Sequence, residues 1–223
     1  MSENIKLEQK ILSRNDIIAG ELRGLFRSEG VAVINMVSSP GSGKTALLER
    51  TLGELSRDVN VAVIEGDLRT ENDAKRIEAT GVPVQQINTG SACHLEAEMI
   101  RRVLDHFTLK ELDLLFIENV GNLVCPSAFD LGEDLRVVII SVTEGDDKPL
   151  KYPAMFHTAN LMVINKLDLL EHTDFSVDAV IRNARSLNPA IEILQTSCRT
   201  GEGLEDWNRY ILSFLHDSRQ VID

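Results

Sequence analysis

A glycine-rich run, Ser38-Ser39-Pro40-Gly41-Ser42-Gly43-Lys44-Thr45, has the residue types and the spacing that bind phosphate groups. Backbone N–H groups of such a loop, and of the helix that follows it, converge on a phosphate. Lys44 is expected to reach the β- and γ-phosphates, and the Thr45 hydroxyl to ligate Mg²⁺. Ser38 occupies the slot of the usual first glycine, whereas Gly41 and Gly43 keep the pattern. The loop predicts nucleotide binding through Ser39, Gly41, Ser42, Gly43, Lys44, Thr45 and Ala46.

A second motif, Asn165-Lys166-Leu167-Asp168, follows a short hydrophobic run further along the chain. A carboxylate at Asp168 accepts hydrogen bonds from the N1–H and 2-amino groups of guanine, whereas adenine has neither donor and leaves the carboxylate unpaired. The motif therefore predicts GTP rather than ATP. Ser197 and Cys198 follow the next hydrophobic run and are expected to line the base pocket, which makes Cys198 a pocket residue rather than a metal ligand.

Acidic residues end two further hydrophobic runs, in Glu65-Gly66-Asp67 and in Glu118-Asn119-Val120-Gly121. Carboxylates suit Mg²⁺, and its predicted neighbours are Thr45, Asp67, Asp73 and Glu118. The Gly121 amide is expected to sense the γ-phosphate, which would make its segment a switch. No arginine finger or glutamine base stands out, which favours slow intrinsic hydrolysis. The predicted catalytic set is Lys44, Thr45, Asp67, Glu118 and Gly121.

Cys93 and His94 are neighbours in SACHLEA, at the start of a run with helical periodicity. A helix start lowers the pKa of a thiol and favours the thiolate that binds soft or borderline metals. Cys125 lies four residues past Gly121. If the γ-phosphate positions residues 118–125, it also positions this metal ligand, and nucleotide state and metal affinity would then be coupled. Three ligands fall one short of a tetrahedral zinc site, which two copies across a twofold axis would complete. Spacing alone also fits two ordinary loop cysteines.

The elements that must position these motifs alternate along the chain. Strands are predicted at 31–37, 59–65, 83–88, 112–118, 135–142, 161–165 and 191–195. Helices are predicted near 43–56, 70–79, 94–108, 176–187 and 203–216. This order indicates an α/β fold, a mostly parallel P-loop NTPase sheet of about seven strands with helices on both faces. Ligands bind beyond the carboxyl ends of such strands, where the motifs lie.

The N-terminal region and the composition limit the class of protein. An amphipathic helix ending near Gly30 is predicted from Leu7, Ile11, Leu12, Ile18, Leu22, Leu25 and Phe26. We expect one GTPase domain over 1–223, with 1–30 as a helical extension packed on it. A net charge of −12 argues against nucleic-acid and anionic-membrane partners. Three cysteines make no disulfide framework and favour a reducing cytoplasm, and the residue pattern predicts neither a secretory signal nor a membrane-spanning segment.

Six segments together resemble the HypB family of hydrogenase maturation factors. They read VSSPGSGKT, EGDLRTENDAKRI, NTGSACHLEA, IENVGNLVCP, VTEGDDKPLKYP and NKLDLL, and the resemblance spans about residues 30–205. It implies a dimerising GTPase that helps insert nickel into the [NiFe]-hydrogenase large subunit, with the metallochaperone HypA as a partner. By position it assigns Cys93, His94 and Cys125 to a nickel or zinc site. Asp146, Asp147 and Lys148 precede Pro149 in a family-typical segment, either near the nucleotide or across the dimer.

Two features depart from some members of that family, and two other functions stay open. Some members carry an N-terminal cysteine-rich, high-affinity nickel site and some a histidine-rich storage tract; no cysteine or histidine precedes Cys93, so neither is expected here. His106, His157, His172 and His216 are scattered and are interpreted as surface or structural residues. The alternatives are an ATP-dependent small-molecule kinase and a metal-binding dimerisation module in which the nucleotide is structural.

Overall fold

The computed structural model describes residues 3–67 and 72–220 and contains a seven-stranded, all-parallel sheet. The strands lie side by side in the order β3-β2-β4-β1-β5-β6-β7. They are β1 (Ala32–Ser38), β2 (Val61–Asp67), β3 (Val84–Asn88), β4 (Leu114–Glu118), β5 (Leu135–Ser141), β6 (Leu161–Asn165) and β7 (Glu192–Gln195). The predicted parallel α/β sheet of about seven strands is confirmed.

Helices cover both faces of the sheet, which explains why the central strands are hydrophobic throughout. In β1, Ile34 and Met36 pack into the core on one face, whereas Val33 packs into the core on the other. The helices are α1 (Glu3–Glu29), α2 (Lys44–Leu55), α3 (Asn72–Glu78), α4 (Ala97–Val103), α5 (Lys148–Lys151), α6 (Pro153–Thr158), α7 (Val177–Leu187) and α8 (Leu204–Gln220). Within the described residues, no helix is both long and apolar enough to cross a membrane.

The predicted N-terminal helix is present as α1, which packs against α4. Ile18, Leu22 and Phe26 are buried in one core with Ile100 of α4. These three residues of the predicted apolar pattern therefore mark the buried face of α1, whereas Ile11 and Leu25 of the same pattern are exposed. Leu7, which was part of the same pattern, has a side chain outside the described part of the structure.

Two predicted boundaries are wrong, and two short helices were not predicted. The helix expected over 94–108 is only α4, followed by a 3₁₀ turn at Leu104–His106, because Glu96 before it is extended (φ −116°, ψ 153°). Residues 143–160 were given no helix, yet they contain α5 and α6, each with a proline in its first turn. Helices of four and six residues are too short to show a 3.6-residue period. Strand β2 continues through Asp67, and residues 70–71 of the predicted helix over 70–79 lie outside the described ranges.

Candidate functional site

The phosphate-binding loop connects β1 to α2 and adopts backbone angles that require glycine. Gly41 and Gly43 have φ values of 78° and 97°, which are unfavourable for residues with a Cβ. A Cβ on Gly43 would also lie 2.4 Å from Nδ2 of Asn165. That Nδ2 donates to the Ser42 carbonyl at 3.0 Å, and Lys166 Nζ donates to the Gly41 carbonyl at 2.5 Å. The predicted base motif is therefore anchored on the phosphate loop.

Lys44, Thr45 and Glu118 form the charged centre of the site. Lys44 Nζ lies 3.0 Å from Glu118 Oε1, and the Thr45 hydroxyl donates to the same oxygen at 2.6 Å. Glu118 is fully buried, and its Oε2 has no hydrogen-bond partner among the residues the structure describes. An unpaired buried carboxylate oxygen is costly. Beside the Thr45 hydroxyl, this oxygen fits the ligand set that Mg²⁺ prefers.

A cleft of about 480 Å³ opens beside this centre, and Asp67, Asp73 and Gly121 line it with the phosphate loop. Asp73 lies in the first turn of α3 and pairs with Arg76 at 3.2 Å. Gly121 packs so closely on Pro40 that a Cβ there would lie 3.2 Å from the proline. The predicted switch segment after β4 therefore lies directly against the phosphate loop.

Glu65 lines the same cleft and was left out of the predicted site residues. It is only 2% exposed, and Oε2 has no hydrogen-bond partner within the described ranges. Burial, together with the nearby charge of Glu118, raises its pKa from 4.5 to about 8. The alternation of side chains in β2 places it on the same side of the strand as Asp67.

Glu65→Gln should flatten the pH dependence of stability in the nucleotide-free protein. Because the folded-state pKa is raised to about 8, Glu65 stabilises the fold fully below pH 4.5 and loses that effect as the pH rises towards 8. The variant should therefore gain about 2–4 kcal/mol of unfolding free energy over wild type between pH 5 and pH 9. Urea unfolding at both pH values measures this, with exposed Glu111→Gln as the control. Equal pH slopes in wild type and Glu65→Gln would contradict it.

The predicted base-pocket residues lie together after β6 and β7. Ser197 donates its hydroxyl to Asp168 Oδ1 at 2.6 Å, and this bond holds the carboxylate in place. Arg199 Nη1 is 3.8 Å from the other carboxylate oxygen. Cys198 contacts Asn165 Oδ1 through both its backbone N–H and its Sγ at 3.4 Å, and burial raises the pKa of its thiol. A partly buried thiol that contacts the Asn165 amide is consistent with the predicted pocket role.

Cys93, His94 and Cys125 form a cluster whose potential ligand atoms all lie within 4.8 Å of one another. The Cys93 and Cys125 sulfurs are 2.7 Å apart, and Cys93 Sγ is 3.9 Å from His94 Nδ1. The two sulfurs therefore lie within reach of one metal ion, as a shared Cys93, His94 and Cys125 site requires. The His94 ring stacks on Phe129, with centroids 3.9 Å apart and an interplanar angle of 26°.

The local environment of Cys93 differs from the expected helix start. Cys93 and His94 lie in a loop before Ala97, the first residue of α4. The pKa of the Cys93 thiol is raised rather than lowered, first because of its hydrogen bond with Cys125 and then because of burial. Burial also lowers the pKa of His94. The expected lowering of the Cys93 pKa by a helix start is therefore wrong, and a metal ion would have to displace the thiol proton to bind Cys93 as a thiolate.

Comparison with known proteins places this arrangement in a family. The sequence profile described as CobW/HypB/UreG, nucleotide-binding domain, matches residues 32–195. The hydrogenase maturation factor HypB of Azotobacter vinelandii is 57% identical over 210 residues, which cover 94% of this chain and 69% of that protein. The chain belongs to the HypB family. The nucleotide-binding domain and the family predicted from the motifs are thereby confirmed.

Two solved HypB structures share the fold. The crystal structure of HypB from Helicobacter pylori in complex with nickel has a TM-score of 0.86 and 43% identity, covering 92% of this chain and 97% of that one. The structure of HypB from Archaeoglobus fulgidus has a TM-score of 0.85 and 40% identity, covering 91% and 99%. The similarity therefore extends over nearly the whole sheet and its helices.

In this HypB-family chain, two asparagines that were not predicted join the cysteine cluster to the nucleotide cleft. Buried Asn119 accepts the Leu95 N–H at 3.2 Å and the Val120 N–H at 2.9 Å through Oδ1. Asn122 Nδ2 donates to the Cys93 carbonyl at 3.2 Å. Both asparagines belong to the segment between Glu118 and Cys125, so the ENVGN sequence itself was the available signal.

Leu95 makes a second connection between the two regions. Its side chain is fully buried and packs over Gly66 of β2, where an added Cβ would lie 2.7 Å from the leucine. Gly66 stands between Glu65 and Asp67, both of which line the cleft. The loop that carries Cys93 and His94 therefore rests directly on the strand end that carries the acidic residues.

The family-typical segment after β5 reaches the phosphate loop within the same chain. Lys148 Nζ donates to Ser39 Oγ at 2.7 Å and lies 3.2 Å from Glu144. Asp146 accepts the Ser176 N–H at 3.1 Å, and Asp147 pairs with Lys151 at 2.8 Å. The sequence left open whether these residues lie near the nucleotide. The structure places Lys148 there, whereas the aspartates bond elsewhere.

The remaining histidines have no place in the cluster. His106, His157, His172 and His216 are all exposed. In the described part of the chain, the only group of three or more metal-ligating side chains is Cys93, His94 and Cys125. Of the two interpretations given to the scattered histidines, surface or structural, their exposure supports the first.

Proposed function

We propose that the chain is a cytoplasmic, GTP-hydrolysing metallochaperone that assists nickel insertion into the [NiFe]-hydrogenase large subunit. The observation that carries this proposal is the Cys93, His94 and Cys125 cluster, formed by loops that touch the nucleotide cleft. Nickel as the cargo is supported by the family and by the Helicobacter pylori relative, whose structure is described as a complex with nickel. Thiolate and imidazole donors suit nickel and also zinc, and we propose that zinc binds at the same site.

GTP is proposed as the nucleotide because Asp168 is held by Ser197 beside the phosphate loop. A fixed carboxylate there matches the two donors of guanine. Slow turnover is supported by the lining of the cleft, to which no glutamine contributes among the described residues. Among the described lining residues the one arginine is Arg76, which is paired with Glu49 and Asp73. Within the described ranges, the cleft therefore offers neither a glutamine nor an unpaired arginine to the γ-phosphate.

Each residue of the cleft is proposed to have a distinct role. Lys44 neutralises the β- and γ-phosphates, and the Gly121 amide donates to the γ-phosphate. Thr45 and Glu118 would hold Mg²⁺, with Asp67 and Asp73 in its surroundings. When bound, Mg²⁺ supplies positive charge that offsets the charge developing on the phosphate oxygens.

The partners follow from the incomplete ligand set. Three ligands from one chain leave a fourth position, which a second copy in a homodimer would fill. The metallochaperone HypA and the hydrogenase large subunit are proposed as donor and acceptor of the metal, as the family implies. Cys125 follows the switch residue Gly121 by four positions, so γ-phosphate contacts are proposed to change metal affinity and dimer fraction together.

The decisive experiment is a nickel titration of wild type with GDP and with a non-hydrolysable GTP analogue, with the mass in solution recorded in the same samples. A change in both nickel affinity and dimer fraction on replacing GDP with the analogue is expected. Unchanged affinity, together with no GTP turnover, would favour the metal-binding dimerisation module with structural nucleotide. If ATP displaced bound GDP as effectively as GTP does in a competition experiment, the ATP-dependent kinase would be favoured.

Lys148→Ala should slow GTP hydrolysis by about 10- to 100-fold, because it removes a cation held 2.7 Å from Ser39 in the phosphate loop. Lys151→Ala is a matched control on the same helix, since Lys151 is exposed and pairs only with Asp147 among the described residues. Single-turnover hydrolysis of GTP by both variants makes the comparison. Equal rates in the two variants would contradict a role for Lys148 at the phosphates.

A further inference from the structure

We propose that Asn15 of α1 is a positioning residue for the metal cluster, because its one side-chain amide joins the loops that carry the ligands. This inference rests on the proposed nickel site and concerns how that site is held. Asn15 lies on the N-terminal helix, far in sequence from every ligand, and no motif pointed to it. It is only 4% exposed.

The amide of Asn15 uses both its acceptor and its donor. Oδ1 accepts the backbone N–H of Ala97 at 2.9 Å, and Nδ2 donates to the carbonyl of Asp130 at 2.8 Å. Ala97 is three residues after His94, and Asp130 is five residues after Cys125. The two contacts therefore tie α1 to both of the segments that must meet around a metal ion.

The first contact replaces a missing helix cap. Glu96 is the N-cap residue of α4, but its side chain makes no capping hydrogen bond. Ala97 is fully buried, so its N–H would have no access to water without Asn15. Buried N–H groups at helix starts need such a partner. Asn15 thus fixes where α4 begins and, with it, the end of the loop that holds Cys93 and His94.

The second contact fixes the other side of the cluster. Asp130 is held by Asn15 through its carbonyl, and by Arg23 of the same helix through its carboxylate at 2.6 and 2.7 Å. The preceding residue, Phe129, stacks on the His94 ring. The position of this ring therefore depends on α1. Groups that fix the orientation of a ligating histidine belong to the outer shell that tunes metal affinity.

The contacts of Asn15 distinguish it from a general stability residue. Neither of its bonding partners lines the nucleotide cleft, so its loss should act on metal binding and spare nucleotide binding. Asn188, the residue that follows the last residue of α7, offers a matched control. Its amide also joins two backbone groups, donating to the Ala159 carbonyl at 2.8 Å and accepting the Ala190 N–H at 3.1 Å, away from the cluster.

The test measures nickel affinity, nickel–thiolate absorption and GDP affinity in full-length wild type, Asn15→Ala and Asn188→Ala. We expect nickel affinity to fall by about 10- to 100-fold in Asn15→Ala, with an altered absorption band and GDP affinity within about twofold of wild type. Asn188→Ala should keep wild-type nickel binding even if its melting temperature falls by as much as that of Asn15→Ala. Asn15→Asp keeps the acceptor for Ala97 but not the donor for Asp130, so its nickel affinity should lie between those of Asn15→Ala and wild type. This variant replaces Asn15→Ala if Asn15→Ala does not fold.

Three results separate the possible outcomes. Wild-type nickel affinity and absorption in a folded Asn15 variant would overturn the positioning role while leaving the proposed function intact. An equal loss of nickel affinity in the Asn188 control would also overturn it, since the effect would then be one of stability. A wild-type protein that binds no nickel would overturn the proposed function itself.

Discussion

Replacing Cys93 with alanine should weaken nickel binding by about 100-fold or more and leave GDP affinity unchanged. Metal–ligand bonds at thiolate sites contribute several kcal/mol each, so the loss of one of three ligands has a large effect. Cys93 Sγ lies at the centre of the cluster, 2.7 Å from Cys125 Sγ and 3.9 Å from His94 Nδ1. Competition with a metal chelator of known affinity measures the change.

Cys198→Ala is the matched control for this experiment. It removes the one other thiol of the chain, which is bonded to Asn165 in the base pocket rather than to the cluster. The control should keep nickel affinity, and any defect it shows should be in guanine-nucleotide binding. If both cysteine variants bound nickel like wild type, the cluster would not be the metal site.

The second large effect is expected at the base pocket. Asp168→Asn should lower GDP affinity by about 10²- to 10⁴-fold, because two charge-assisted hydrogen bonds to guanine are lost, each contributing about 1.5–3 kcal/mol. The asparagine Nδ2 would instead face the guanine amino group, donor against donor. Xanthine has an oxygen at that position, so the same variant should bind xanthosine diphosphate better than wild type does.

Arg199→Ala controls for a general change of charge near the base. Arg199 is largely exposed and lies 3.8 Å from Asp168, so screening by solvent should keep its effect on GDP affinity below about threefold. Fluorescent-nucleotide displacement with guanine, xanthine and adenine nucleotides gives the three affinities for each protein. An Asp168→Asn variant that kept GDP affinity would show that the base is read elsewhere.

The sheet and the phosphate loop could be predicted because each has a strong local signal. Continuous apolar runs such as β5 indicate strands buried on both faces, and SSPGSGKT specifies its own strand–loop–helix setting. The proximity of Cys93 and Cys125 was predictable more indirectly. Each follows a parallel strand, and the carboxyl ends of such strands meet at one edge of the sheet.

The contacts that connect the parts of the site could not be predicted. Asn15, Asn119 and Asn122 act through backbone groups far away in sequence, and an asparagine has no periodic pattern to mark it. The pKa of Cys93 was predicted in the wrong direction for a related reason. Its largest influence is the thiol of Cys125, 32 positions away, rather than the helix that follows it.

The Lys44–Glu118 ion pair has a consequence for how the cleft is filled. The ammonium of Lys44 is the counter-ion of a buried carboxylate, and Thr45 donates to the same oxygen. In the proposed function, an incoming triphosphate would recruit Lys44 and leave Glu118 without its cation, which Mg²⁺ would replace. We therefore expect nucleotide entry to be an exchange of ionic partners, in which the anion and the divalent cation bind with positive cooperativity.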